Sequence, residues 1–422
     1  MIKILNRESI NLHGTSMAVL WMGWLMGAIY VLYKFVCQAN YAVLSTDIAH
    51  SLNLSISQVG LLGSIYTMGF AATTLLSGAL LDFYGARRVL TVGIGIVAVG
   101  AYVFSVAESW PAVVAGQLLM GAGSAFGFPG AGYIIRHAFG VANFGLLFGL
   151  VQTITGVATA FSQGAAARLL QEYSWRDIML GLAFCGLVFM ICMSIFVRDR
   201  EKGIANVDCL ADSFWKECGK GLQTGLSNSL MWGAAVLSAI VFASLLSITV
   251  VWGVKLLTTD FGFDSVLAAN INGSAWLGTA LGSPLIAVLA RYLHSYKKAA
   301  VIYMSIMLVV LITLVTIDEM QIDVAYTLFF ILGMTGGGAS VLGIMFSIQI
   351  NAKELSGTSI ACVNFLIFLI SGLMMYLPGE LLSYDSLGIS LQQALILYPV
   401  VLMLALVFLV LFYKERDILP AD

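Results

Sequence analysis

The residue of this sequence best placed to do chemistry is a lysine in the middle of an apolar run. Lys34 lies in a stretch, from about residue 16 to 45, that is long and apolar enough to cross a bilayer. Burying an ammonium group at that depth costs roughly 2.5 to 3.5 kcal/mol on insertion scales. We therefore expect Lys34 to line a wet cavity or to meet a partner, since snorkelling from mid-span is difficult.

The same helix face carries other residues unsuited to lipid. Steps of three and four residues place Lys34 on one narrow face with small and polar neighbours. These neighbours are Gly23, Gly27, Tyr30, Gln38, Tyr41 and Ser45. We predict that the tyrosines, the amide and the lysine of this face contact a bound solute.

The sequence offers no obvious counter-charge for this lysine. Among the 22 acidic residues, only Glu380 falls inside a predicted span, toward its outer end. One alternative is an ion pair that locks the helix bundle, although no acidic residue is expected at a similar depth. The other is that the negative charge arrives with the solute. A coupling proton is a further expected partner, with a lysine amine as its carrier, because desolvation favours the neutral amine.

Two more basic residues lie within predicted spans. Lys255 is nearer the external end of its span, where snorkelling to the interface and a cavity role are both open, and we include it among the binding candidates. Arg168 lies at the end of its span, opposite the polar stripe, and indicates an interfacial anchor.

Polar residues of other spans also recur at helical spacing and are expected to face inward. Their neutral amides and hydroxyls suit the recognition of hydroxyl or carboxylate groups. Hydrogen bonding between helices, worth about 0.6 kcal/mol per bond, is the alternative. From these stripes we add four candidates to the binding site: Tyr66 in the second span, Gln152 and Gln163 in the fifth, and Asn364 in the eleventh.

Membrane-spanning helices must position these residues. Of the 422 residues, 60% are hydrophobic and 10% are charged, which is far too apolar for a soluble domain. Repeated apolar runs predict an all-α membrane protein of twelve transmembrane helices, with a retained first span. The predicted spans are 16–45, 58–81, 89–107, 111–135, 143–170, 177–197, 228–257, 265–290, 299–317, 324–350, 355–382 and 390–413.

The distribution of basic residues predicts the orientation. Sixteen of the 20 lysines and arginines fall in the two tails, the central linker and alternate loops, which are expected to be cytoplasmic. Both termini are therefore predicted to be cytoplasmic. The longest polar segment, 198–227, divides the chain into two six-helix bundles, residues 1–197 and 228–422, as in a duplicated transporter.

Several classes of function are disfavoured. The six cysteines have no metal-binding or redox spacing, and no basic tract indicates nucleic acid. The four histidines lie outside the spans or at their ends, so an intramembrane enzyme lacks its acid-base groups. We expect no enzyme activity, no metal and no cofactor, a lipid bilayer and a small molecule as partners, and a monomer.

Several motifs carry a resemblance to a known family. GALLDFYGARR, residues 78–88, resembles the loop signature of the major facilitator superfamily between spans two and three. SWRD, VRDRE, WGVKLL and KELSGTSIACVNF follow in the order expected of that family. The combination of VLYKF, LLDFYGARR, WGVKLL and QQALILYPV looks most like the subgroup that includes phagosomal transporters of intracellular gammaproteobacteria. This resemblance implies two pseudo-symmetric bundles in a bacterial inner membrane.

The resemblance also implies a cytoplasmic latch. Asp82, Arg87 and Arg88 occupy the loop signature, and Arg136 at the end of span four is the expected partner of Asp82. Ordinary positive-inside charges would explain the two arginines of the loop but not Asp82.

Departures from the family pattern prevent transfer of a substrate. Related proteins commonly have Glu in place of Lys34, Arg in place of Gln38 and Pro in place of Lys255. Relative to the organic-anion porters, Gln117 and Ser124 replace Arg and Glu. The leading hypothesis is therefore built on the two lysines: a secondary transporter of a small hydrophilic, carboxylate-bearing solute. The alternatives are a citrate-type siderophore, an amino acid or nucleoside, and a transporter-like sensor.

Overall fold

The computed structural model describes residues 17–140, 143–198, 229–350, 356–384 and 388–412. For Asp82 and for residues 229–235, 339–350 and 356–363, the description is limited to the backbone. The helices of the first part are α1 (Met17–Ala39), α2 (Tyr41–Leu52), α3 (Ile56–Tyr84), α4 (Ala86–Ser105), α5 (Trp110–Ser124), α6 (Gly127–Phe139), α7 (Phe144–Leu169) and α8 (Trp175–Phe196). We call α1–α8 the N half.

The second part begins with α9 (Ser229–Ser247), a π-helical turn (Ile248–Trp252) and α10 (Gly253–Thr259). It continues with α11 (Ser265–Tyr292), α12 (Tyr296–Thr316), α13 (Ile322–Ile350), α14 (Ser356–Leu382), α15 (Leu391–Ala394) and α16 (Leu397–Phe412). We call α9–α16 the C half.

The fold is an all-α membrane protein, as predicted. Eleven helical segments within the described residues are long and apolar enough to span a bilayer, and Ile322–Gly338 is a shorter apolar part of the 29-residue helix α13. These make twelve spans, in which α1 continues into α2, α5 into α6, and α9 through the π-helical turn into α10. The predicted fold class is confirmed.

Local signals fix the ends of the helices. At the start of α3, the Ser55 hydroxyl accepts from the Gln58 backbone N–H at 3.2 Å, and the Gln58 side chain accepts from the Ser55 N–H at 2.9 Å. The pair Ser174 and Asp177 makes the same reciprocal cap on α8. At Gly85, with φ at +80°, the chain turns from α3 into α4. Such short connections keep consecutive spans side by side.

The two halves meet along two helix pairs, α3 with α14 and α7 with α11. In the first pair, Gly60 lies against Trp252 and the Met375 carbonyl, and Gly379 lies against the backbone of Ile56 and Ser57. The absence of side chains at these glycines lets the backbones approach closely. This contact surface, which we call the seam, includes the first turns of α3.

The second pair continues the seam at the same end of the bundle. Gly273 on α11 lies against the Ala160 carbonyl on α7, and Gly164 lies against the Asn270 side chain. Toward the opposite end, a methyl group built at Gly78 on α3 or at Gly145 on α7 would have no atom of the described part of the chain within 4 Å. The seam is therefore closed at the end where α3 begins and α7 finishes.

Candidate functional site

Lys34 is fully enclosed, with 1% of its side chain exposed. Its ammonium nitrogen lies over three aromatic rings, 4.1 Å from the centroid of Phe35, 4.4 Å from that of Phe128 and 4.5 Å from that of Phe70. The stem is fitted over Gly127, where an added methyl group would lie 3.4 Å from Lys34 Cδ. We call Phe35, Phe70 and Phe128 the aromatic box.

The box stabilises the ammonium without neutralising it. A desolvated cation–π contact is worth about 2 kcal/mol or more, so three rings offset a large part of the cost of burial. Among the described residues, no carboxylate forms an ion pair with Lys34. The alternative of a locking ion pair thus has no support in the described part of the chain, and a positive charge is left without a counter-charge.

The box belongs to the seam as well as to the N half. Phe35 packs edge-on against Trp276 of α11, with ring centroids 5.3 Å apart, and Phe70 packs against Phe368 of α14 at 4.3 Å. Two of the three rings around the ammonium therefore touch the C half. A substitution or a bound ligand at Lys34 would therefore directly affect the contacts that join the halves.

Tyr30 and Tyr66 lie at this site and Tyr41 lies farther along the span, and all three hydroxyls are already engaged. Tyr30 donates to the Gly123 carbonyl at 2.6 Å, and Tyr41 donates to the Val59 carbonyl at 2.7 Å. Tyr66 donates to the carbonyl of Lys34 itself at 2.9 Å and lies 2.6 Å from the Ser124 hydroxyl. Tyr66 thereby holds the α1 backbone at the position that carries the lysine.

Gln163 takes part in a buried amide network across the seam. Its Nε2 donates to the Ala39 carbonyl at 2.8 Å and to the Thr249 carbonyl at 3.2 Å. Asn272 Nδ2 donates to Gln163 Oε1 at 3.1 Å and to the Thr249 carbonyl at 2.8 Å. Thr249 lies in the π-helical turn, where the altered hydrogen-bond pattern leaves a carbonyl open to side chains. The amides therefore hold two spans of the C half to α1 and α7.

The other predicted binding residues lie apart from the box. Lys255 is half-buried on α10, beyond Trp252, which donates to the Met375 carbonyl at the closed end of the seam. Gln38 makes one long contact, 3.4 Å, from Nε2 to Thr67 Oγ1. Gln152 and Asn364 are half-buried on α7 and α14. The structure brings Lys34, Tyr30 and Tyr66 together, whereas Lys255 is at a different level.

The predicted latch remains a prediction. The side chain of Asp82 lies outside the described residues. Arg87 donates from Nε to the Ser194 carbonyl at 2.7 Å, and both Arg88 and Arg136 are exposed near the ends of their helices.

Sequence reasoning missed the aromatic box. Phenylalanine is a common residue of membrane spans, and the three rings come from α1, α3 and α6, so no periodicity within one helix could have selected them. A usable signal was the glycine-rich stretch around Gly127, because a long side chain needs a groove of that kind. Among the described residues, no group of three or more His, Cys, Asp and Glu side chains could hold a metal ion.

Comparison with known proteins identifies a family to which the chain is similar. The model of the Major Facilitator Superfamily matches residues 23–375. The chain is 23% identical over 219 residues to the uncharacterized MFS-type transporter YvkA of Bacillus subtilis, covering 51% of this chain and 49% of that protein. It is 23% identical over 177 residues to the probable sulfoacetate transporter SauU of Cupriavidus necator, covering 42% and 41%.

Further similarities agree in fold. The multidrug resistance protein MdtL of Escherichia coli is 24% identical over 165 residues, covering 39% of this chain and 42% of that protein. The chain thus spans half or less of the length of these curated relatives. A solved structure of a bacterial homolog of the human lysosomal transporter Spinster, inward-facing and unoccupied, superposes with a TM-score of 0.73 at 15% identity, covering 94% of this chain and 97% of that one.

Proposed function

This chain belongs to the major facilitator superfamily, and from that premise we propose that it is a secondary transporter of a small hydrophilic organic anion that bears a carboxylate. The superfamily consists of transport proteins, which agrees with the prediction that the chain is not an enzyme. The observation that carries the proposal is the enclosed ammonium of Lys34, which lies on the seam without a described counter-charge.

Charge balance supports an anionic substrate. The rings of the box attract the ammonium but leave its full charge in a low-dielectric setting. A carboxylate that reaches Lys34 forms a charge-assisted hydrogen bond, which is the stronger kind, and removes the net charge at the same time. The substrate thus supplies the group that the described chain lacks.

Alternating access would act through the seam. We propose that the closed end faces outward, as the predicted cytoplasmic termini require, so that the substrate site opens toward the cytoplasm. Opening the other way requires separation of α3 from α14 and of α7 from α11, including Phe35 from Trp276 and Phe70 from Phe368. Because those rings enclose the ammonium, binding of an anion to Lys34 would shift the equilibrium between the closed and the separated seam.

The relatives bear on the class of substrate. SauU is named as a probable sulfoacetate transporter, and sulfoacetate is a compact anion that bears a carboxylate, the group proposed to bind Lys34. The citrate-type siderophore would need two lysines at one site, and Lys255 is at another level. We also propose that a proton is coupled to transport and that the protein is a monomer in the bacterial inner membrane. An amino acid or a nucleoside is the alternative substrate.

A ligand screen tests the proposal. Purified protein is heated with sulfoacetate, lactate, succinate, citrate, glutamate and uridine, and the melting temperature is compared for the parent, Lys34→Met and Lys255→Met. Binding stabilises by mass action, so an anion that raises the melting temperature of the parent and of Lys255→Met, but not of Lys34→Met, supports the anion site. Uptake of that anion into proteoliposomes separates a transporter from a sensor.

Two results would contradict the proposal. The first is stabilisation by uridine alone. The second is equal stabilisation of the parent and of Lys34→Met by an anion, because the ammonium would then make no contribution to binding.

A further inference from the structure

Three polar groups beside the aromatic box are buried without a hydrogen-bond partner among the described residues. They are the indole Nε1 of Trp276 and the hydroxyls of Thr155 and Thr159. Their side chains are 3%, 3% and 0% exposed, respectively. Buried polar groups in proteins are almost always paired, so three orphans in one region call for a ligand or a function.

The threonines lie on α7 at the level of the lysine. Two hydrogen bonds fix the register of α7 against α1: Trp24 Nε1 donates to the Leu147 carbonyl at 3.3 Å, and Ser162 Oγ donates to Asn40 Oδ1 at 3.3 Å. The lysine and both threonines lie between these bonds along their helices. The threonines are four residues apart, so both are on one face of α7.

The indole reaches the same level from the C half. Gly273 on α11 lies against the Ala160 carbonyl, and Gly156 lies against Ala280 and the Trp276 carbonyl. These contacts set Trp276 against the segment of α7 that carries the threonines. Its ring also packs on Phe35 of the aromatic box. The indole is therefore one ring away from the ammonium of Lys34.

We propose that the Trp276 N–H and the Thr155 and Thr159 hydroxyls form, with the Lys34 ammonium, one binding site for a carboxylate or sulfonate head group. This inference rests on the proposed function and assigns residues to it. An indole and an ammonium can only donate hydrogen bonds, and a hydroxyl can donate, so the set is complementary to an oxyanion. The site draws on α1 and α7 from the N half and α11 from the C half.

The neighbouring amides do not share this role. Gln163 and the Asn272 nitrogen already bond to each other and to backbone carbonyls. Asn272 Oδ1 is unpaired, but it lies against Gly253 on the C half and is an acceptor, which an anion avoids. The unpaired donors and the unpaired acceptor thus point to different places.

The site makes binding sensitive to the state of the seam. In the closed seam the three donors are desolvated without partners, which is unfavourable. An oxyanion held by both halves would satisfy them and would draw α11 toward α1 and α7. The head group is therefore bound most tightly when the halves close around it.

Two compact anions, acetate and methanesulfonate, test the inference, with methylammonium as the cationic control. Dissociation constants are measured by thermal shift on the full-length protein and on three single variants, Trp276→Phe, Thr155→Val and Thr159→Val. Each variant removes one donor; the two threonine variants also keep the shape of the side chain, and Trp276→Phe keeps an aromatic ring. Thr91→Val is the matched control, because the Thr91 hydroxyl on α4, away from the seam, is also buried with no partner in the described part of the chain.

We expect Trp276→Phe and each threonine variant to weaken binding of at least one anion by about tenfold or more, as for a lost hydrogen bond to a charged group. Thr91→Val should leave the dissociation constants unchanged. Preference for methanesulfonate or acetate identifies the head group.

Other results would overturn the inference. If the three seam variants bind both anions as the parent does while Lys34→Met does not, the donors are not part of the site, although the proposed function stands. The same holds if neither compact anion binds the parent but a larger anion of the ligand screen does. If no anion binds the parent at all, both proposals fail.

Discussion

The two lysines within spans occupy contrasting positions in the first spans of the two halves. Lys34 lies in the middle of the span that α1 and α2 form together, Met17–Leu52, with its nitrogen against three rings. Lys255 lies on α10, which ends four residues later at Thr259, and it is only half-buried. A stem near a helix end can reach the interface, whereas a stem at mid-span cannot. Lys34 is therefore the proposed binding residue of one half, and Lys255 is a candidate interfacial anchor in the other.

The corresponding region of the C half has backbone polarity in place of a charge. There the π-helical turn Ile248–Trp252 exposes the Thr249 carbonyl, to which Gln163 and Asn272 donate. The N half thus supplies a cation to the seam, and the C half supplies an acceptor that fixes the seam. The function of an intramembrane polar group thus depends on its burial and its neighbours more than on its residue type.

The largest effect is expected for Lys34→Met. The substitution keeps the length and apolar stem of the side chain and removes the charge. Loss of one partner of a desolvated charge pair typically costs 2 to 5 kcal/mol, so anion affinity should fall by at least about 30-fold. The protein should remain folded, with a melting temperature no lower than that of the parent, because an uncompensated buried charge is removed. An anion affinity of Lys34→Met equal to that of the parent would show that Lys34 is not part of the binding site.

The next effect is expected for Gln163→Leu. This change leaves the Ala39 carbonyl without its side-chain donor and weakens the hold on the Thr249 carbonyl, at a cost of about 1 to 3 kcal/mol. The seam should open more often at its closed end. Spin labels on Glu172→Cys and Asp318→Cys, both exposed in loops of opposite halves, should report a longer distance. Gln152→Leu, at a half-buried position outside the network, is the control.

A smaller effect should link the box to the charge. Phe70→Leu removes one ring from the ammonium, and a desolvated cation–π contact is worth about 2 kcal/mol or more. The fall in melting temperature on Phe70→Leu should be larger in the parent than in a Lys34→Met background. Equal shifts in both backgrounds would show that the ring only fills space. Phe189→Leu, on α8 against Tyr33, controls for loss of volume.

The smallest effect is expected for Lys255→Met. If Lys255 anchors its helix at the interface, anion affinity should change by less than about threefold. A loss as large as that of Lys34→Met would place both lysines at one substrate and would favour the polycarboxylate alternative.

Much of the fold could be predicted from the sequence, because span length and hydrophobicity are local properties. The runs that predicted twelve helices all coincide with helices in the described residues. The spacing of Tyr30 and Lys34 also placed them correctly on a buried face of α1. One-dimensional periodicity is sufficient for such a prediction because a helix repeats every 3.6 residues.

The composition of the site could not be predicted in the same way. The ring partners of Lys34 come from three helices, and Trp276 comes from the other half, so only tertiary packing brings them together. The amide of Gln163 faces inward as predicted, yet it bonds to the Thr249 carbonyl because a π-helical turn exposes that carbonyl. No feature of the residues 248–252 signals that turn in advance.

The most direct test measures the proximity of the lysine nitrogen to a bound carboxylate. Protein labelled with ¹⁵N at lysine Nζ is reconstituted with the ¹³C-carboxylate form of the anion that stabilises the parent most, and dipolar dephasing is recorded by solid-state NMR. We expect dephasing that corresponds to an N···C distance within about 4 Å, abolished in Lys34→Met and retained in Lys255→Met. Saturating ligand without dephasing, or dephasing that survives Lys34→Met, would contradict it.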